Sequence, residues 1–269
     1  MWPHRIWLGA AVLPLALLVP RDAPVPHILA EPPAAPARDR AGSAPQPVIV
    51  TRAGWHADES IVREHAVYTG AVRAVFVHHT GETNDYDCAE APELIRRVEE
   101  AHIRDRGWDD IGYNFLVDRC GTIYEGRAGG VARSVRGAHT TGFNADSVGI
   151  AVLGDYYDGE KVPAPVVRAL ASIAAWKLLP GEDPRGKVRL RSTNDASRYP
   201  KGDVAVLNVI SGHRDTYQTT CPGQALYDEL PEIRTMAAAM RAAAGRDGDA
   251  DTGDADTEDA DTEDAGNTH

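Results

Sequence analysis

What this 269-residue sequence lacks narrows it first. It has no excess of basic residues: 28 Lys and Arg stand against 40 Asp and Glu, for a formal net charge of -12 and a pI near 5.2. Non-specific nucleic-acid binding needs a basic excess, so no nucleic-acid partner is expected. It has no apolar run of membrane-spanning length. The N-terminal one, Ile6 to Val19, covers 14 residues and is interrupted by Pro14, whereas a transmembrane helix needs about 20. Outside its C-terminal tail it has no internal repeat, which excludes a solenoid. It has only three cysteines, Cys88, Cys120 and Cys221, and an odd count leaves one without a partner in an exported protein. A core is not among the things missing, since 43% of the residues are hydrophobic, far from the signature of a disordered chain.

The acidity is unevenly spread. From Asp247 to His269 there are ten acidic residues and no basic one, whereas residues 48–245 carry 23 basic and 27 acidic side chains, a net of only -4. The tail, 245–269, is expected to be solvated and disordered. Its alternating aspartates imitate a calcium loop, but the sixth place is Thr252 and the glycine falls one later at Gly253, against the rule for such loops. At the other end, Arg5 followed by the short apolar run reads as a signal peptide over about 1–30. Residues 31–47, rich in Pro, Ala and Arg, read as a semi-rigid linker. The chain is therefore expected to be exported, without stable membrane insertion once the signal is removed, and monomeric.

Residues 48–244 alternate strand-like and helix-like segments. Arg73 to Thr80 is an apolar, β-rich run ending in two histidines. Ala89 to Arg106 places Leu94, Ile95, Val98, Ala101 and His102 at helical spacing, with Pro92 in its first turn and Gly107 as its stop. Tyr113–Asp118 and Thr122–Glu125 read as a hairpin joined through Cys120 and Gly121. Ser147–Leu153 is a strand of the fully buried kind. Pro163–Leu179 is a helix, Lys187–Asp203 a surface hairpin, Val204–Ile210 a strand, and Gly223–Ala244 a closing helix. The expected fold is a single α/β domain, a mixed β-sheet flanked by helices.

Cys221 lies eight residues after His213 within one loop. A thiolate and an imidazole brought together there offer two ligands for a borderline-soft ion such as Zn2+. His78 or His79, at a strand end, offers a third. Two histidines and one cysteine leave the fourth tetrahedral position open, which distinguishes catalytic from structural zinc. If Cys221 is a ligand, Cys88 and Cys120 are left to pair with each other. The ordinary alternatives stand beside this: strand-end histidines are commonly just hydrogen-bonded, buried cysteines are commonly inert, and a spacing of eight is not that of a zinc finger.

Several motifs occur in order: Val77-His-His-Thr80, Gly107-Trp-Asp-Asp-Ile-Gly-Tyr-Asn-Phe115, Ile123-Tyr-Glu-Gly-Arg127, Gly137-Ala-His-Thr140, Ser147-Val-Gly-Ile-Ala-Val-Leu-Gly154 and Gly212-His-Arg-Asp215 with Cys221-Pro-Gly223. This set resembles the peptidoglycan recognition proteins and the zinc-dependent N-acetylmuramoyl-L-alanine amidases, over about residues 48–244. The resemblance implies a peptidoglycan partner and cleavage of the amide between the lactyl group of muramic acid and L-alanine of the stem peptide. It implies His78, His213 and Cys221 as zinc ligands, Tyr113 as a catalytic residue and Thr219 as a second. Recognition members that lack the cysteine bind wall without cutting it; this chain retains the cysteine. A non-catalytic wall-binding module is the alternative. His79, His139 and Arg127 are candidate substrate contacts, and Glu125 reads as structural. Between Arg127 and His139, where many animal members carry a Gly-Trp stretch, this chain has no tryptophan and two additional arginines, Arg133 and Arg136, so substrate preference does not transfer.

Overall fold

The computed structural model describes residues 43–157 and 159–252, with side chains as far as Arg246. The expected signal segment 1–30, the linker up to Gly42 and the tail beyond Thr252 lie outside the described residues. In chain order the strands are β1 (Ile49–Val50), β2 (Ala74–His79), β3 (Phe115–Val117), β4 (Ile123–Glu125), β5 (Ser147–Val152), β6 (Lys187–Arg191), β7 (Val204–Asn208) and β8 (Ile210–Gly212). The helices are α1 (Ala91–Glu100), α2 (Ala164–Lys177), α3 (Gln224–Asp228) and α4 (Leu230–Thr252). Six strands form one mixed sheet in the order β1-β4-β3-β5-β2-β8. Only β3 and β4 run antiparallel; the other neighbours are parallel. The α/β expectation is met.

The central strands β2 and β5 are buried along their whole length, which is why they read as unbroken apolar runs rather than alternations. On one face of the sheet Phe115, Val117, Val148, Ile150 and Val152 pack in a core shared with Val166, Leu170 and Ile173 of α2 and with Ile233 and Ala237 of α4. On the other, Leu116, Tyr124 and Leu153 join Leu94 and Ile95 of α1 and the fully buried Trp55. The segment before β2 docks here through a side chain, since Trp55 Nε1 donates to the Glu125 carbonyl at 2.7 Å.

Three expectations are corrected in detail. Val204–Ile210 is not one strand. β7 pairs antiparallel with β6 as a separate two-stranded sheet, and the chain crosses at Val209 into β8 of the main sheet. The burial pattern explains the split: β7 alternates exposed and buried residues, whereas β8 is buried throughout. The closing helix is two helices, because Pro231 has no N–H to continue the ladder from α3. α4 then runs to Thr252 instead of ending at Ala244, so residues 245–252, expected as disordered tail, continue it; the alanine-rich stretch ahead of them is strongly helix-forming. Finally, Ala44 is buried and its N–H bonds the Ala175 carbonyl of α2, so the folded part begins inside the expected linker.

Cys88 and Cys120 form a disulfide with a Cα–Cα distance of 6.3 Å across a separation of 32 residues. It ties the entry to α1 to the β3–β4 turn. Closing a loop of that length stabilises by about 3–4 kcal/mol in the chain-entropy model. Replacing both cysteines with alanine is expected to lower denaturant stability by that amount. Thiol counting on the unfolded wild type should find one free cysteine; three would refute the bond.

Candidate metal centre

Sheet register brings the first two ligand candidates together. Val77 of β2 lies opposite Gly212 of β8, so the next residues, His78 and His213, emerge side by side at the carboxyl ends of adjacent parallel strands. Ligand sites of open α/β sheets sit at such ends. Their ring centroids are 4.5 Å apart. The third candidate arrives by a loop folded back on itself: Arg214 N–H bonds the Cys221 carbonyl at 3.0 Å, and the Arg214 guanidinium reaches the Thr220 carbonyl at 2.6 Å and Gln224 Oε1 at 2.8 Å. Asp215 caps the turn by accepting from Gly212 N at 2.9 Å and from the Tyr227 hydroxyl at 2.7 Å. Gly223 has φ 88°, and a Cβ there would lie 2.1 Å from the Tyr156 carbonyl oxygen.

The ligand atoms of His78, His213 and Cys221 all lie within 4.8 Å of one another, and His78 Nδ1 is 3.8 Å from Cys221 Sγ. Two such ligands sharing one tetrahedral zinc stand about 3.5 Å apart, so the donor set fits that ion in chemistry and spacing. Burial holds both imidazoles neutral, as ligation requires: His78 lies well below its ordinary value, with His213 and His139 adding to the effect, and His213 is pushed down to about 4. Burial pushes the Cys221 thiol up to about 12; a bound cation reverses that preference, since a coordinating thiol is deprotonated. The sulfur also accepts the His79 N–H at 3.4 Å, a contact of the kind that tempers a thiolate's charge donation to a metal. The second cysteine-containing group, Cys88, Asp118 and Cys120, is spent in the disulfide.

The remaining candidates divide. Tyr113 stands over His78, ring centroids 5.2 Å apart, and burial, then the neighbouring Cys221, push its phenol far above the usual value, so the hydroxyl keeps its proton and is available to donate but not to act as a base. Thr219 Oγ1 accepts the Cys221 N–H at 3.2 Å, so this hydroxyl braces the ligand loop and keeps its own proton to donate. His139 is buried and meets His78 Nε2 through its Nδ1 at 3.2 Å. His79 is buried behind Cys221, with its Nδ1 accepting Tyr156 N–H at 3.3 Å. Arg127 spends its guanidinium on the Ile111 carbonyl at 3.2 Å and on Asp109 at 3.9 Å, although its charge helps depress both His139 and His102. Glu125 accepts from Arg52 N at 3.1 Å, a structural contact as expected.

A cleft of about 160 Å³ opens beside Tyr113, lined by Thr80, Leu94, Val98, His102 and Arg106 among others. By spacing alone, His102 continues the stripe of Leu94, Ile95, Val98 and Ala101. It sits in a π-helical turn, Ala101–Asp105, a device common at functional sites, and its Nδ1 accepts Gly112 N–H at 3.1 Å. A histidine closing an otherwise aliphatic helix face was the available signal.

Three side chains that could hold a metal thus converge at the strand ends, with a cleft opening beside the neighbouring Tyr113. The chain belongs to the N-acetylmuramoyl-L-alanine amidase family, whose model matches residues 68–224. It is similar to peptidoglycan-recognition protein SC2 of Drosophila simulans, with 31% identity over 154 residues, 57% of this chain and 70% of the relative. It is also similar to peptidoglycan recognition protein 1 of Bos indicus, with 32% identity over 180 residues, 66% and 80% of the two chains. Among solved structures, wild-type Drosophila PGRP-LB superposes with a TM-score of 0.52 at 25% identity, covering 68% of this chain and 92% of that one. Peptidoglycan recognition protein-LE, solved in complex with tracheal cytotoxin, a monomeric diaminopimelic acid-type peptidoglycan, gives 0.53 at 27% identity, covering 68% and 92%.

Proposed function

We propose that the protein is a zinc-dependent N-acetylmuramoyl-L-alanine amidase, cleaving the amide between the lactyl carboxyl of N-acetylmuramic acid and L-alanine of peptidoglycan stem peptides. The observation that carries this is the convergence of His78, His213 and Cys221 within 4.8 Å, a donor set of the size and type that would hold a catalytic rather than a structural zinc. Zinc held by His78, His213 and Cys221 would supply Lewis acidity and acidify a water. The Tyr113 hydroxyl donates to the scissile carbonyl oxygen as charge develops on it, and its burial strengthens that hydrogen bond. Thr219, hydrogen-bonded to Cys221 N, offers a second hydroxyl on the ligand loop. The cleft beside Tyr113, lined by Arg106 among others, would receive the stem peptide, with that guanidinium toward its carboxylates. Hydrolysis breaks the amide C–N bond, with hydroxide going to the lactyl carbonyl and the proton to the alanine amine.

The Cys88–Cys120 bond supports export, because such bonds persist in oxidising compartments. A wall-binding module that does not cut is the second reading; the recognition proteins among its relatives favour it. Metal analysis of the purified chain with mass spectrometry of wall digests separates the two. About one zinc per chain and fragments carrying a new alanine amine and lactyl carboxyl are expected. Walls bound by the zinc-loaded protein and left uncut would establish the second reading.

A further inference from the structure

We propose that His139 is a positioning residue for the metal centre, its Nδ1 accepting the Nε2–H of His78 and so fixing the tautomer and rotation of that ligand. The inference rests on the zinc reading above. The two rings meet edge-on, 78° between planes, with Nε2 and Nδ1 3.2 Å apart. His78 presents its other nitrogen, Nδ1, to Cys221 Sγ. Its two nitrogens are thereby divided between the ligand cluster and His139. Metal-bound histidines commonly donate their second N–H to a carboxylate, carbonyl or water. Here the acceptor is a neutral imidazole, which adds no charge and leaves Cys221 as the one anionic ligand.

Stability alone does not account for His139. The side chain is 6% exposed, its Nε2 is buried without a hydrogen-bond partner, and its contact with His78 is its sole side-chain hydrogen bond among the described residues. A buried polar atom left unpaired costs about 1–3 kcal/mol. The fold also gives up two side chains for this ring. A Cβ on Gly149, in the middle of β5, would lie 2.2 Å from His139 Cγ, and one on Gly137 would lie 2.4 Å from Cδ2. Glycine inside a strand weakens it and marks close approach. The backbone at this point is held from two sides. Asn144 Oδ1 accepts the N–H groups of His139 and Thr140, both at 2.9 Å. Thr140 Oγ1 bonds Thr216 Oγ1 at 2.5 Å, and Thr216 in turn donates to the His213 carbonyl at 3.2 Å. The loop carrying His139 is thus tied to the turn carrying the second ligand.

The test measures zinc affinity of the full chain by chelator competition, together with denaturant stability of the metal-free protein. His139→Leu, which removes the acceptor, is expected to bind zinc about 10–100-fold more weakly while the metal-free protein is as stable as wild type or more so. His139→Asn, whose amide oxygen can take the place of Nδ1, is expected to recover most of the affinity. His139→Gln, which places its amide near the Nε2 position instead, is expected to behave like the leucine variant. Wild-type affinity in His139→Leu would overturn the proposal. If that variant fails to fold, equal affinities for the Asn and Gln variants would overturn it. A wild-type chain that takes up no zinc would instead refute the amidase reading on which it rests.

Discussion

Cys221→Ala is expected to reduce release of stem peptides from purified walls by about a thousandfold or more, and to bring zinc content down with it, because two imidazoles alone hold the ion poorly. Folding should survive. Cys221 is 9% exposed and lies in a loop held by contacts that do not use its sulfur: the Arg214 hydrogen bonds to the Cys221 and Thr220 carbonyls and to Gln224. The sulfur's hydrogen bond from His79 N–H would be lost, at about 1 kcal/mol. A metal-independent nucleophilic role for the thiol is disfavoured by its burial, which pushes it up to about 12 and leaves little thiolate at neutral pH. Cys221→Ser, nearly the same size but a weaker zinc ligand, therefore belongs with alanine and not with wild type. Peptide release quantified by mass spectrometry, zinc by elemental analysis and melting temperature decide the matter; undiminished hydrolysis in either variant would sink the metalloamidase reading.

The candidate ligands are legible in the sequence because they lie in short motifs, but the geometry that brings them together is not. The sequence shows two adjacent histidines, His78 and His79, and chooses between them only by resemblance; register supplies the physical choice. With Val77 opposite Gly212, His78 falls beside His213, while His79 lies behind the cysteine. The apolar run Ser147–Leu153 was legible as a buried strand, yet Gly149 and Ala151 within it read as ordinary small residues. In the sheet they pair with Phe76 and His78, and Gly149 leaves room for the His139 ring. Sequence period carries the existence of a strand, and long-range packing decides why its small residues are small. The split of Val204–Gly212 between two sheets was hidden for the same reason, since hydrophobicity alone does not say which neighbour a strand will find.

The part of the fold least legible in the sequence is the segment between β1 and β2, which shows no helix or strand period and is held largely by side-chain bonds. Arg52 is 5% exposed and binds Glu59 at 2.7 Å, Glu99 at 2.7 Å, Asp110 at 3.3 Å and the Gly126 carbonyl. Asp110 in turn accepts from Ile111 N at 2.6 Å and Ala128 N at 2.7 Å, so this arginine braces the loops leading to Tyr113 and away from Arg127. Burial raises the pKa of Glu99 and of Asp110 even with Arg52 present to oppose it. Arg52→Met keeps much of the volume and removes the cation, leaving two buried carboxylates unpaired. Breaking a buried ion pair from one side costs about 3–5 kcal/mol, and that loss is expected at pH 7. Its pH dependence has a definite sign. Carboxyls whose folded pKa is raised bind protons more readily in the folded than in the unfolded state. They leave stability intact at low pH and remove it as pH rises through the folded pKa. The deficit of the variant should therefore be largest at neutral pH and smaller at acid pH, as Glu99 and Asp110, both raised, take up protons and the missing cation matters less. Urea denaturation of wild type and variant at the two pH values measures it. A deficit below about 1 kcal/mol, or one unchanged between the two pH values, would mean that Arg52 packs against Trp55 rather than holding the charges in place.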